Sequence, residues 1–138
     1  VVAALLAPYE AVISTHAAHV NTHETGAIEA TGHKVCDVFA PDGKLTPELV
    51  ESVLAQHNGT EHMVLPRLVY ISDTTEIGTL YTKAELAALR QCCDAHGLFL
   101  YLDGARLGYG VMADGAELKL ILLTHAHFDH TGGVAELH

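Results

Sequence analysis

Two apolar runs decide the fold, Arg-Leu-Val-Tyr-Ile-Ser at residues 67–72 and Leu-Phe-Leu-Tyr-Leu-Asp at residues 98–103. Both are short and almost continuously apolar, which is typical of parallel strands that are covered on both faces. Between them, Thr82 and Glu85 form a capping box and Gly97 closes the element, so a helix is predicted there. A strand, a helix and a second strand in this order indicate a βαβ unit.

Helix signals recur on either side of this unit. Thr46 as N-cap, Pro47 at the first helical position and Gly59 past the end predict a helix over residues 47–57. Two shorter helices are predicted, one over residues 24–30 and one from residue 129 or 131 to the C-terminus. Helical segments therefore separate the apolar runs along most of the chain.

Apolar runs outside the βαβ unit predict three further strands, at residues 11–14, 34–39 and 118–124. The sequence thus predicts the α/β class. We expect one domain over residues 1–138, with three α/β/α layers and a sheet of five mostly parallel strands. A chain of 138 residues, of which 49% are hydrophobic and 17% charged, can bury such a core.

The charge balance limits the expected partners. Seventeen Asp and Glu against seven Lys and Arg give a formal net charge of -10, which repels phosphate backbones and anionic membranes, so neither nucleic acid nor a membrane is expected. Three cysteines, an odd number with two adjacent in sequence, favour reduced thiols and a cytoplasmic location. An apolar start without Met is interpreted as that of a fragment, whose exposed apolar surface favours a homo-oligomer.

Polar side chains follow the predicted strands at their carboxyl ends. The loops after strands one, three, four and five span residues 14–21, 72–76, 103–106 and 124–130. In an open parallel sheet, such loops converge where ligands bind. The candidate functional groups are therefore expected on one rim of the sheet.

Three segments before residue 118 carry a family resemblance. They are His19-Val-Asn-Thr-His-Glu24-Thr-Gly26-Ala-Ile-Glu29, Ile71-Ser-Asp-Thr-Thr-Glu76-Ile-Gly78-Thr and Tyr101-Leu-Asp103-Gly-Ala-Arg106-Leu. This part of the chain resembles the large domain of threonine aldolases and related β-eliminating lyases, which use pyridoxal phosphate (PLP). The resemblance implies that His19 stacks on the cofactor ring, Asp103 pairs with the ring nitrogen and Arg106 holds an anionic group. It also implies the spatial strand order five-three-four-one-two.

Two parts of that family's site have no counterpart in the sequence. The Gly-Thr turn that cradles the cofactor phosphate would precede Val1. The lysine that binds the cofactor covalently would lie on the strand after Arg106, in a Thr-Lys context, and no lysine of the sequence stands in that setting. The lysines are Lys34, Lys44, Lys83 and Lys119. We therefore expect no competent PLP-dependent aldolase, and PLP is not the expected cofactor.

The C-terminal segment carries a different resemblance. After an apolar run, His125-Ala-His127-Phe-Asp129-His130 precedes two glycines, and this pattern is similar to the metal-binding segment of the metallo-β-lactamase superfamily. Imidazoles at alternate positions after a strand can converge on one cation. The resemblance implies that His125 and His127 bind a first metal ion, and Asp129 and His130 a second. Zinc is the expected metal, with weak hydrolysis of activated esters by metal-bound water.

Other residues on the same rim could complete this metal site. The further candidate ligands are the carboxylate of Asp103 and, ranked below it, three loop histidines, His16, His19 and His23. Two families in one domain indicate a chimera of an aldolase-like core at residues 1–117 and a metallo-β-lactamase-like segment at residues 118–138. Two alternatives stay open: a catalytically silent structural chimera, and residual non-covalent PLP binding at the aldolase-like residues.

Overall fold

The computed structural model describes residues 1–57 and 59–114, and of residues 111–114 only the backbone. Its sheet has four parallel strands: β1 (Glu10–Thr15), β2 (Val35–Val38), β3 (Leu65–Ser72) and β4 (Phe99–Asp103). The α/β class and the parallel sheet are confirmed. The described part of the chain has four strands rather than five, because the strand expected at residues 118–124 and the C-terminal helix lie outside it.

The order of the strands differs from the expected one. The sheet runs β2-β1-β3-β4, so β3, and not the following strand, lies next to β1. The expectation that the fourth strand separates the first from the third is therefore wrong. The pairing sets this order, since β3 is hydrogen-bonded to β1 on one side and to β4 on the other. Burial agrees with it: the last five residues of β3 are all buried, whereas every residue of β4 is exposed or half-buried.

Four α-helices accompany the sheet within the described residues: α1 (His19–Thr22), α2 (Pro47–Gln56), α3 (Lys83–His96) and α4 (Leu107–Asp114). The two longest confirm the predicted helices, and local caps define where they begin. In α3, the Thr82 hydroxyl accepts a hydrogen bond from the Glu85 amide at 3.2 Å, and the Glu85 carboxylate accepts one from the Thr82 amide at 2.7 Å. None of these helices is long and apolar enough to cross a membrane.

The helix predicted over residues 24–30 is wrong. Thr25 and Gly26 have φ angles of 51° and 70°, in the left-handed region that a right-handed helix does not contain. The segment forms turns, followed by one 3-10 turn at Glu29–Thr31. A second 3-10 turn, Val2–Leu5, precedes β1.

The sheet has an apolar core on each face. One core lies under α2 and α3 and includes the fully buried side chains of Val50 and Leu89. The other contains Val2 and Val20, from short elements, beside Leu68 of the sheet. In the described residues, two long helices therefore cover one face of the sheet, and short elements that include α1 pack on the other. This arrangement leaves the carboxyl ends of the strands to the polar loops.

Candidate functional site

The loops at the carboxyl ends of β1, β3 and β4 meet on one rim of the sheet. Ser72 and Asp103, the last residues of β3 and β4, are partners in register, and the Asp73 amide donates to the Asp103 carbonyl at 3.1 Å. The amide of His19, in the loop after β1, donates to the Glu76 carboxylate at 2.9 Å. Residues far apart in sequence are thus joined at this rim.

Glu76 is the centre of the rim. Its Oε1 accepts hydrogen bonds from the His19 amide at 2.9 Å, the Ser72 hydroxyl at 2.7 Å and Nη2 of Arg106 at 3.0 Å. The Glu76 side chain is only 13% exposed, and a buried carboxylate is costly unless it is paired and hydrogen-bonded. The three donors meet that requirement, so one carboxylate fixes the loops after β1, β3 and β4 relative to each other.

Arg106 is held in place by the protein itself. Besides the ion pair with Glu76, its Nε donates to the Thr74 carbonyl at 3.0 Å, and the side chain is one-third exposed. A guanidinium has five N–H donors, so these two contacts leave others for a ligand. The sequence placed Arg106 in the site but did not identify its partner.

Asp103 ends β4 with both carboxylate oxygens engaged. Oδ1 accepts from the Ala105 amide at 3.0 Å, and Oδ2 accepts from the Tyr70 hydroxyl. Burial, and then the hydrogen bond to Asp103, raise the pKa of Tyr70 far above its ordinary value. Tyr70 therefore stays protonated and donates, which keeps the Asp103 carboxylate an acceptor. The Tyr70 ring also stacks on that of Tyr101, with 5.4 Å between centroids.

His19 begins α1 with its ring held from two sides. Its Nδ1 lies 2.6 Å from a Glu24 carboxylate oxygen, and the ring stacks on His23 with 5.2 Å between centroids. The side chain is 40% exposed. A carboxylate at Nδ1 fixes the orientation of an imidazole, so His19 presents a positioned, accessible ring at the rim.

The histidines proposed as extra metal ligands do not converge. Nδ1 of His16 lies 2.7 Å from the Asp37 carboxylate, and Nδ1 of His23 lies 2.7 Å from the Thr22 hydroxyl. Within the described residues, the potential ligands that come together in a group of three are Glu51, Cys92 and His96, between α2 and α3. Neither Asp103 nor any of the three loop histidines belongs to it.

Lys44 lies in the loop that follows β2, at the same end of the sheet as the rim. Its Nζ donates to a Glu85 carboxylate oxygen at 2.5 Å and to the Leu80 carbonyl at 3.4 Å, and the side chain is only 15% exposed. The Lys44 ammonium group therefore has its partners at and just before the start of α3.

Sequence reasoning quoted Ser72 and Glu76 within a motif but assigned neither of them a role, and it placed Tyr70 only in a strand. A signal was present for Glu76, because it lies in the loop at the carboxyl end of an apolar strand, four residues after Ser72. Nothing in the sequence indicated that the Tyr70 hydroxyl reaches Asp103, since the two residues lie 33 positions apart.

Residues 1–132 match the family model described as beta-eliminating lyase. The chain is 39% identical over 106 residues to the low specificity L-threonine aldolase of Pseudomonas aeruginosa, covering 75% of this chain and 30% of that protein. For the Saccharomyces cerevisiae protein of the same name, identity is 28% over 117 residues, covering 83% and 30%. A solved structure of Leishmania major threonine aldolase has 57% identity and a TM-score of 0.75 over 77% of this chain and 31% of that chain.

These findings correct the interpretation as a zinc-dependent hydrolase. The relatives are threonine aldolases, a PLP-dependent family of lyases, so the hydrolase activity, the zinc cofactor and the dismissal of PLP are wrong. The family match runs to residue 132, across the terminal motif, and nothing in it indicates a second family. His125, His127, Asp129 and His130 lie outside the described residues, and their assignment as ligands stays untested.

The fold and the comparisons agree. The parallel sheet carries the aldolase-like residues on one rim, and the family match covers 132 of 138 residues. The chain spans about 30% of the length of the curated relatives that it matches. The chain belongs to the beta-eliminating lyase family.

Proposed function

We propose that this chain forms part of the PLP site of a lyase that cleaves β-hydroxy-α-amino acids of the threonine type. One observation carries the proposal: His19, Asp103 and Arg106, the residues that match the family's site, lie on one rim and are tied together through Glu76 and the β3–β4 pairing. The substrate class rests on the names of the relatives, low specificity L-threonine aldolases.

The Asp103 carboxylate fits a protonated ring nitrogen. A carboxylate offers about four lone-pair sites, and the contacts from Tyr70 and Ala105 use two of them. Because Tyr70 stays protonated, its hydroxyl donates to Asp103 and does not take the proton of the ring nitrogen. The Asp103 carboxylate is then the group that accepts a hydrogen bond from that nitrogen. The half-buried end of β4 makes a charge-assisted hydrogen bond there stronger than one in water.

The other two residues supply binding and orientation. His19 offers a ring that Glu24 holds through Nδ1, which suits stacking against a flat heterocycle. Arg106 is oriented by Glu76 and by the Thr74 carbonyl, with donors left for an anionic group. PLP, when bound, supplies an electron sink for the carbanion that cleavage of the substrate generates.

Cofactor binding and aldol cleavage are separate parts of the proposal. The chain spans about 30% of the relatives' length, so the proposal of cofactor binding is kept independent of turnover by a chain of 138 residues. Binding is therefore tested first, with a readout that does not depend on activity.

Equilibrium dialysis with PLP, read by the absorbance of the cofactor, tests the site. We expect about one equivalent to bind to the parent chain. Asp103→Asn should weaken binding by about tenfold, since a charge-assisted hydrogen bond contributes about 1.5 to 3 kcal/mol. Asp94→Asn is the matched control, because Asp94 is exposed and pairs with Arg90 on α3. Equal affinity in the Asp103→Asn variant and the parent would contradict the proposal.

A further inference from the structure

Three potential metal ligands meet between α2 and α3, away from the PLP rim. They are the Glu51 carboxylate of α2 and, on α3, the Cys92 thiol and the His96 imidazole. The helix α3 begins after the carboxyl end of β3 and ends just before β4, so His96, its last residue, lies toward the amino ends of the strands. The group therefore lies apart from Asp103, at the opposite end of the sheet.

The spacing of the three ligand atoms suits a single cation. They all lie within 4.8 Å of one another, and Nε2 of His96 is 3.8 Å from the Glu51 carboxylate. Bonds of about 2.0 to 2.3 Å in a tetrahedral site place ligand atoms roughly 3.3 to 3.8 Å apart. Cys92 and His96 are four residues apart and so face the same way on their helix. Small side-chain rotations would bring the three atoms to bonding distance.

The kinds of ligand define the class of ion. A thiolate, an imidazole and a carboxylate together suit a divalent transition-metal ion of borderline softness and disfavour calcium or magnesium, which take oxygen ligands. Three protein ligands leave a fourth position for water. An ion pair alone explains Glu51 beside His96, but it does not require the Cys92 sulfur. The Cys92 thiol makes only a weak contact, at 4.0 Å, with the Pro47 carbonyl.

We propose that Glu51, Cys92 and His96 form a surface site for a divalent transition-metal ion that links α2 to α3. The Glu51 and His96 side chains are 61% and 41% exposed, so the ion has access from solvent, while Cys92 is buried beneath them. Burial raises the pKa of the Cys92 thiol, and the nearby Glu51 and Glu48 carboxylates raise it further. Binding therefore releases the thiol proton to solvent as the metal–sulfur bond forms.

Titration with cobalt(II) under anaerobic conditions tests this site, because a cobalt–thiolate bond gives a charge-transfer absorption. We expect that band in the parent, saturating at about one equivalent, and its loss in Cys92→Ser. His96→Ala and Glu51→Gln should each weaken binding by about tenfold or more, since even outer-shell changes cost that much at metal sites. Both of these residues are exposed, so the two variants keep the test valid if Cys92→Ser fails to fold.

Matched controls separate this site from other ligands of the chain. Glu48→Gln, one helical turn from Glu51, and His62→Ala, whose side chain is 86% exposed, should bind cobalt like the parent. The double variant His125→Ala with His127→Ala should also keep the band. Absence of the band in the parent, its persistence in Cys92→Ser, or its loss in the His125 and His127 double variant would overturn the proposal.

Discussion

The face under α2 and α3 and the rim at the carboxyl ends of the strands are held together by different forces. The helix-covered face is an apolar core, in which Val50, Leu89 and Cys93 are essentially inaccessible to solvent. At the rim, the polar residues Ser72, Asp73, Thr74 and Thr75 are buried. Burial of apolar surface stabilises the first region, whereas polar groups stabilise the second only when each has its partner.

The difference separates the residues expected to set stability from those proposed to bind the cofactor. Among the described residues, no buried side-chain nitrogen or oxygen lacks a hydrogen-bond partner, so the rim is fully satisfied despite its polarity. The hydrogen bonds of the rim converge on a few acceptors, above all the Glu76 carboxylate, which accepts three of them. Changes to the helix-covered face should therefore act on stability without changing PLP affinity, and changes at the rim should act on stability and cofactor binding together.

Leu89→Ala should have the largest effect on stability. The Leu89 side chain is fully buried at the centre of α3, so its truncation removes apolar burial and leaves a cavity, and we expect a loss of about 3 kcal/mol in the free energy of unfolding. Urea denaturation measures this. The control is Leu5→Ala at an exposed position, and PLP affinity of the folded Leu89→Ala fraction should match the parent. A loss below about 1 kcal/mol would show that this face is not the main source of stability.

Glu76→Ala should have a smaller effect on stability and a clear effect on binding. It removes the shared acceptor of His19, Ser72 and Arg106, and we expect a loss of about 2 kcal/mol in unfolding free energy. PLP affinity should fall because the loops of the rim are no longer fixed to each other. Glu61→Ala, with a side chain that is 85% exposed, should change the unfolding free energy by less than about 0.5 kcal/mol. Unchanged PLP affinity in Glu76→Ala would mean that this carboxylate does not organise the site.

Glu85 should give the smallest effect, and one that depends on pH. Its contact with Lys44, and then the hydrogen bonds with Thr82, lower its pKa from the ordinary 4.5 to about 2. A carboxyl group whose pKa is lower in the folded protein stabilises it above the ordinary value, and this contribution is lost as the pH falls through 4.5 toward 2. The difference in unfolding free energy between the parent and Glu85→Gln should therefore be constant above about pH 5.5 and shrink below it. In a Lys44→Met background most of that dependence should disappear, and a difference that persists unchanged at pH 3 would contradict the assignment.

The sequence by itself determined the elements whose signals are local. The Thr82–Glu85 capping box and Gly97 set the limits of α3, and Thr46 with Pro47 set the start of α2, because caps act within three or four residues of the chain. The apolar runs likewise indicated all four described strands, to within two residues at each end. Local rules failed at Thr25 and Gly26, whose left-handed backbone replaces a helix that the surrounding residues alone would favour.

Tertiary structure alone decided which strands are neighbours and which rim residues touch. That β3 lies between β1 and β4 is a matter of pairing between strands far apart in sequence, and no single stretch of residues encodes it. Placement of His19, Asp103 and Arg106 on one rim was predictable, since carboxyl ends of parallel strands always share an edge. Their coupling through Glu76 was not predictable, because the hydrogen bond from the His19 amide to the Glu76 carboxylate spans 57 positions in the sequence. Contacts between residues so far apart form only when the whole core packs. Sequence patterns reflect only the interactions between residues that are close together in the chain.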